Sequence, residues 1–366
     1  MRSLASLLCV LTIGCTHRVS PQRMSVDEVS ARFPDKVDDR DGWARDLISA
    51  LDENKLPVDV EHVCSVIAVA EQESGVVANP VVPNLPAIAR KALDEKAEKL
   101  GPLGNTALEK LLDVKAKGAT KTFRQRIGTL KTEADLDQLF RDLLDEHQRR
   151  SPLLYGAADL GARLFSSGSL EAHNPVTTAG SMQVSVRFAE ERARKLKRSP
   201  SDARDALYTR AGGLLYGTAR LWNFEAGYDS MIFRFADYNA GEFSSRNAAF
   251  QEQVSQLAKQ SLALDGDLLA YDANGDLKKT DTNTMAALTE LGGTLHDARK
   301  EKSRAFEKTK TWASIRSAWE LEFHREAPYA RMPDVELHSS KLSKTRSTEW
   351  FAKSVMRRYE TCLKRR

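Results

Sequence analysis

The sequence predicts a mainly α-helical protein, and three observations carry that prediction. Apolar residues recur at helical spacing through most of the chain, most clearly at Leu136, Leu139, Phe140, Leu143 and Leu144, an i, i+3, i+4, i+7, i+8 stripe on an otherwise charged segment. Helix punctuation accompanies such stripes: Asp59 offers an N-cap and Gly75 a stop on either side of Val63, Ile67 and Ala70. Strand-like pattern is confined to one short stretch, Leu268 to Tyr271 and then Leu277 onward, around an Asn274-Gly275 turn.

Composition narrows the class. The 366 residues carry 55 Lys+Arg against 51 Asp+Glu, a net charge of +4 with 29% charged residues, which is an ordinary globular mixture and argues against a nucleic-acid partner. No apolar run reaches the ~18 residues of a spanning helix, which excludes a polytopic membrane protein.

The chain opens with Met1-Arg2, an apolar segment from Leu4 to Ile13, and Gly14-Cys15, the build of a secretory signal. Its end resembles a bacterial lipobox, with cleavage before a lipidated Cys15. Thr12 stands where that pattern has an aliphatic residue, and a plain cleaved signal or an uncleaved anchor are the alternatives. Thr16 after the cysteine implies, by the same resemblance, the outer membrane rather than the inner one. Export would leave Cys64 and Cys362 in an oxidising periplasm, where they either pair or stand as a buried helix residue and a free thiol.

After the segment from Thr16 to about Asp39, which reads as a linker, Trp43, Leu47 and Leu51 repeat every four residues. Between Leu85 and about Arg150 lies a run dense in Lys, Glu, Arg, Asp and Leu, broken by Gly101, Gly104 and Gly118, which reads as several amphipathic helices inserted into something else. Asp272 to Asp276 imitates a calcium loop, but Gly275 falls fourth instead of sixth and Asn283 occupies the twelfth position, so a turn is favoured. From Ala286 the chain is again amphipathic, with Trp312, Trp319 and Trp350 as packing anchors and Lys364-Arg365-Arg366 as a solvated basic end. The seven His show no metal-ligand spacing, there is no Cys-x-x-Cys, and no Gly-rich phosphate loop follows a strand, so no metal and no other cofactor is inferred.

Three short signatures stand out in order: Ala70-Glu71-Gln72-Glu73-Ser74-Gly75, Ala179-Gly180-Ser181-Met182-Gln183-Val184, and Ala236-Asp237-Tyr238-Asn239-Ala240-Gly241. Together they resemble the soluble lytic transglycosylase family, lysozyme-like enzymes marked by a Glu-Ser pair, a Gly-x-Met-Gln segment and a Tyr-Asn-Ala-Gly segment. The resemblance covers about Asp59 to Pro80 and Asn174 to Phe250. It implies that Glu73 is the catalytic acid, that Ser74 is the serine after it, that Met182 and Gln183 line the cleft, and that Tyr238 and Asn239 hold the acid and the sugar. In this chain Gly180 lies far downstream of Glu73, and Asn-Pro occurs twice, at Asn79-Pro80 and Asn174-Pro175, as an insertion between those points would produce. Thr177 or Thr178 would replace a cleft serine that the family carries after its Asn-Pro.

On this reading the chain divides into a signal peptide (1–14), a linker (15–40), the first part of a lysozyme-like domain (41–82), a helical insertion (83–155), its second part (156–262), a short β-hairpin (263–284) and a helical C-terminal extension (285–366). Physical reasoning on the residues agrees. Glu73 falls in the last turn of a helix, at the negative end of its dipole, and burial beside Met182 and Tyr238 would further favour the neutral acid that a glycosidic oxygen needs as proton donor. Glu71, on another side of that helix, reads as a solvated surface charge. Two-carboxylate glycosidases need a second acid, for which Asp237 and Glu225 are the candidates, whereas the resembling family needs none. The expected activity is cleavage of the MurNAc-β-1,4-GlcNAc bond of peptidoglycan strands with formation of 1,6-anhydroMurNAc. A lysozyme-type hydrolase and a non-catalytic peptidoglycan-binding scaffold, recruiting an envelope protein through the insertion, are the alternatives.

Overall fold

In the computed structural model, residues 22–98, 101, 104–150, 174–272, 276–280, 282–337 and 346–366 are described. The expected signal peptide, Cys15, residues 151–173 of the insertion and its junction, and the Asn274-Gly275 turn lie outside them. The fold is mainly α.

The first core is nucleated by α1 (Val26–Ser30), α2 (Arg40–Glu53) and α3 (Val60–Ser74). Residues 22–40 are not the linker that the sequence suggested. Ser25 and Glu28 form a capping box at the start of α1, and Val29 on that helix, with Phe33 and Val37 in the turns that follow it, are buried in the core. Helix α3 is built as expected: Asp59 accepts from the His62 amide, Val63, Ile67 and Ala70 are fully buried, and Gly75 closes the helix at φ 66°, a left-handed conformation in which a side chain is strained.

The insertion contains α4 (Leu85–Glu98), α5 (Gly104–Leu112), α6 (Phe123–Ile127) and α7 (Glu133–Arg150). Its entry and return are adjacent: the Val82 amide donates to the Lys131 carbonyl at 2.8 Å, and Val81 and Thr132 form an antiparallel bridge. The Leu136, Leu139, Phe140, Leu143 and Leu144 stripe of α7 is buried as the spacing predicts. The other side of α7 carries Asp137, which is fully buried and held by Asn174 at 2.5 Å and by Arg204 and Arg141 at 2.7 Å each. That buried pairing fastens the returning helix to the second half of the domain.

The second half runs through a two-residue antiparallel pair, β1 (Thr178–Ala179) with β2 (Val184–Ser185), into α8 (Val186–Lys195), α9 (Pro200–Ala206), α10 (Arg210–Trp222), α11 (Met231–Ala240) and α12 (Ser244–Ala258). Helix α10 packs on α2, and Gly217 on α10 lets Met182 lie flat against it: a β-carbon there would stand 2.2 Å from the Met182 sulfur.

A second core forms around Phe250, Leu268, Phe306, Trp312 and Ile315, with α13 (Asn283–Glu290), α14 (Leu295–Ala298) and α15 (Lys310–Phe323). Tyr271 and Leu277 form the antiparallel bridge on either side of the expected hairpin turn. The C-terminal extension is divided between the cores. After β3 (Glu336–Leu337) and β4 (Arg346–Ser347), the last helix, α16 (Thr348–Lys364), leaves the second core and packs between α3 and α11 in the first. Cys64 and Cys362 are disulfide-bonded, which decides between the two readings of that pair. Trp312 and Trp319 are buried anchors as expected, whereas Trp350 is 36% exposed, because the first turn of α16 faces a cleft.

Candidate functional site

That cleft, of about 760 Å³, lies where α3, the β1–β2 turn, α7, α11 and the start of α16 converge. Glu73, Thr177, Thr178, Gln183, Tyr238 and Asn239, distant in sequence, all line it. Tyr238 is buried, with 7% of its surface exposed; burial raises its phenol well above the ordinary value, and the nearby Glu73 charge adds to that. Its hydroxyl donates to the Met182 carbonyl at 2.6 Å. With its one proton committed there, the phenolic oxygen is left as an acceptor.

The other expected positions behave differently. The Ser74 hydroxyl lies 2.8 Å from the Ser181 carbonyl and accepts from the Val77 amide, so it fastens the end of α3 to the Gly-x-Met-Gln segment and does not line the cleft. Met182 is fully buried against α10 and presents its backbone carbonyl, not its thioether, toward the site; the glycine at 217 opens the space that draws the side chain inward. Gln183, at φ 47°, spends its amide internally: Thr178 Oγ1 donates to its Oε1 at 3.0 Å, and its Nε2 donates to Glu133 Oε2 at 2.9 Å. Asn239 accepts from the Thr348 hydroxyl at 2.8 Å.

Several cleft residues were not singled out by sequence reasoning. Glu133, in the first turn of α7, is only 2% exposed yet reaches the cleft wall. Its signal was the Thr132-Glu133 start of a helix, visible but without a motif. Arg220, Glu336, Arg346 and Trp350 also line the cleft, with residues 80–83 at the start of the insertion. The two candidates for a second carboxylate do not belong to it. Asp237 is fully buried on the inner side of α11, where it accepts from the Tyr228 hydroxyl and the Ser245 amide, and burial pushes its carboxyl up to about 6. Glu225 is exposed and pairs with Arg304 at 2.7 Å. Nor is Glu71 a solvated charge: Arg365 lies 3.4 Å away, drawn from the basic end as it packs across α3.

A larger, more open groove of about 990 Å³ lies on the insertion, between Ala116 and Arg149. Its Arg126 and Asp142 pair with each other at 2.6 Å, and no acid there sits at a motif. Among the described residues, no group of three or more His, Cys, Asp or Glu could hold a metal ion, and no helix is long and apolar enough to cross a membrane.

Comparison with known proteins places the chain. Residues 36–365 match the family model described as "Protein of unknown function (DUF1615)". The chain belongs to the DUF1615 family. This DUF1615 chain is also similar to "Uncharacterized protein YaiW" of Escherichia coli (strain K12), 36% identical over 376 residues that cover 98% of this chain and 97% of that protein. No solved structure matches it.

Proposed function

We infer that the protein is a peptidoglycan lytic transglycosylase. The observation that carries this reading is the convergence of Glu73, Gln183, Tyr238 and Asn239, one or two from each of three separated motifs, on one cleft. The resemblance to soluble lytic transglycosylases rests on those motifs, and it assigns the cleft to glycan strands.

In the proposed reaction the Glu73 carboxylic acid gives its proton to the oxygen bridging MurNAc and GlcNAc, and the C1–O bond breaks with oxocarbenium character at C1. The resulting Glu73 carboxylate then takes the proton of the C6 hydroxyl of the same MurNAc. O6 closes on C1, giving the 1,6-anhydro sugar and restoring the acid. No water is consumed, and intramolecular attack carries a high effective molarity. Tyr238, its proton held by the Met182 carbonyl, presents an acceptor oxygen beside Glu73, which suits the protonated acid. Thr177, Thr178 and Asn239 offer polar groups for acetamido and hydroxyl substituents.

Glu133 favours a second reading. A second carboxylate in the same cleft is what a hydrolase would use to direct water to C1, so a lysozyme-type hydrolase is the competing chemistry. Mass spectrometry of released muropeptides separates the two: anhydro ends support the transglycosylase, and reducing ends support the hydrolase. The proposed location is the periplasmic side of the outer membrane in a Gram-negative envelope, anchored by lipid on Cys15, a residue outside the described part of the chain. Substitution of Cys15 by Ala would then release the protein from the membrane fraction.

A further inference from the structure

The catalytic motifs account for part of the cleft and the insertion adds Glu133, while the C-terminal strand β4 and the helix α16 that follows it, which lie outside the motifs, supply a further wall. Arg346, Trp350 and Phe351 line that wall. The Arg346 guanidinium sits 3.7 Å from the centre of the Trp350 indole, a cation-π contact that holds both groups at the cleft mouth. Trp350 remains 36% exposed although it stands next to the buried Phe351.

This wall is fixed in register with the motifs at both ends. Thr348 donates to Asn239 at 2.8 Å, Phe351 stacks on Tyr238 with ring centres 6.5 Å apart and planes 11° off parallel, and Cys362 is bonded to Cys64 on the helix that carries Glu73. A partly exposed indole clamped at the mouth of a cleft has the form of a recognition surface. The flat apolar side matches the C–H face of a hexosamine, and a guanidinium fork matches a carboxylate.

We propose that Arg346 and Trp350 form a substrate-recognition subsite for glycan that carries acidic stem peptides, the indole meeting the sugar and the guanidinium meeting a peptide carboxylate. The subsite rests on the assignment of the cleft to peptidoglycan. It gives β4 and the C-terminal helix a function beyond packing: they select peptide-bearing strands over bare ones. Arg220, on the same lining, lies 3.9 Å from Glu242, and Glu336, on the strand paired with that of Arg346, lines the cleft as well.

The test is calorimetric binding of soluble peptidoglycan strands, with stem peptides intact or removed by an amidase, to the full chain carrying Glu73→Gln. That chain holds substrate without turning it over. Adding Arg346→Gln is expected to weaken peptide-bearing strands about tenfold while leaving bare strands within about twofold, and Arg346→Lys to recover only a small part of the loss, because an ammonium neither forks onto a carboxylate nor stacks on the indole as a guanidinium does. Trp350→Ala should weaken both kinds of strand, and Trp350→Phe less so. The proposal is overturned if Arg346→Gln has no effect, if it weakens both strands equally, or if the parent chain binds neither. Failure of the catalytic reading looks different: the wild-type chain would release no product while Arg346-dependent binding persisted.

Discussion

Cys64, on the helix that ends at Glu73 and Ser74, is bonded to Cys362, on the helix whose first turn touches Asn239, with Cα atoms 5.5 Å apart and a sequence separation of 298. One covalent bond therefore ties the proposed acid's helix to the helix that completes the cleft. Closing so long a loop stabilises chiefly by restricting the unfolded chain, typically by about 2–5 kcal/mol. Cys362→Ser, or reductant applied to the wild type, should lower the thermal midpoint by several degrees in denaturation monitored by circular dichroism. An unchanged midpoint would contradict this account of α16.

The contact between Gly217 and Met182 makes a second prediction. A β-carbon at 217 would meet the Met182 sulfur at 2.2 Å, so Gly217→Ala must displace the Met182 side chain and strain the carbonyl that receives the Tyr238 proton. Overpacking of this kind costs about 1–3 kcal/mol. Chemical denaturation should show that loss, and lytic turnover should fall with it. Wild-type stability in Gly217→Ala would mean that Met182 does not lie where the fold puts it.

Glu133 tests the contribution of the insertion. Its carboxylate accepts from Gln183 Nε2, and removing that acceptor leaves a donor unsatisfied at a cost of about 1–3 kcal/mol. Glu133→Leu should lower both stability and product release, whereas Glu133→Gln, which keeps an acceptor, should retain most of each. If Glu133→Gln abolished product release as completely as loss of Glu73, Glu133 would be a reacting carboxylate and the hydrolase would be the better reading.

Glu301 makes a prediction about pH. Burial pushes its carboxyl up to about 7 from an ordinary 4.5, although Tyr271 and the Leu268 amide donate to it. The folded state therefore binds a proton more tightly than the unfolded state, so the stability contributed by this group is present below about 4.5 and is lost as pH rises through about 7. Relative to wild type, Glu301→Gln should gain stability across that window, measured as the difference between urea midpoints at pH 5 and pH 8. A difference that did not change with pH would contradict the burial argument.

How much of this was legible in the sequence depended on range. Helix α7 was readable because its stripe from Leu136 to Leu144 is local, and Asp59 and Gly75 bounded α3 because capping is local too. The linker was misjudged because the burial of Val29, Phe33 and Val37 depends on neighbours remote in sequence. Met182, Ser74 and Glu71 were placed on the right segments, but their orientation is set by Gly217, Ser181 and Arg365 respectively, none of which a motif reveals. Trp350 was misread for the opposite reason: an aromatic on an amphipathic helix is ordinarily a core residue, and only the arrival of α16 at the cleft leaves it partly exposed. Glu133 had no sequence signal stronger than that of any helix-opening glutamate.

The most direct test of the central claim is mass spectrometry of muropeptides released from purified peptidoglycan by the wild-type chain and by Glu73→Gln. The account predicts 1,6-anhydro products from the wild type and none from the variant, with the variant still binding the strands. Anhydro products from Glu73→Gln at the wild-type rate would contradict it.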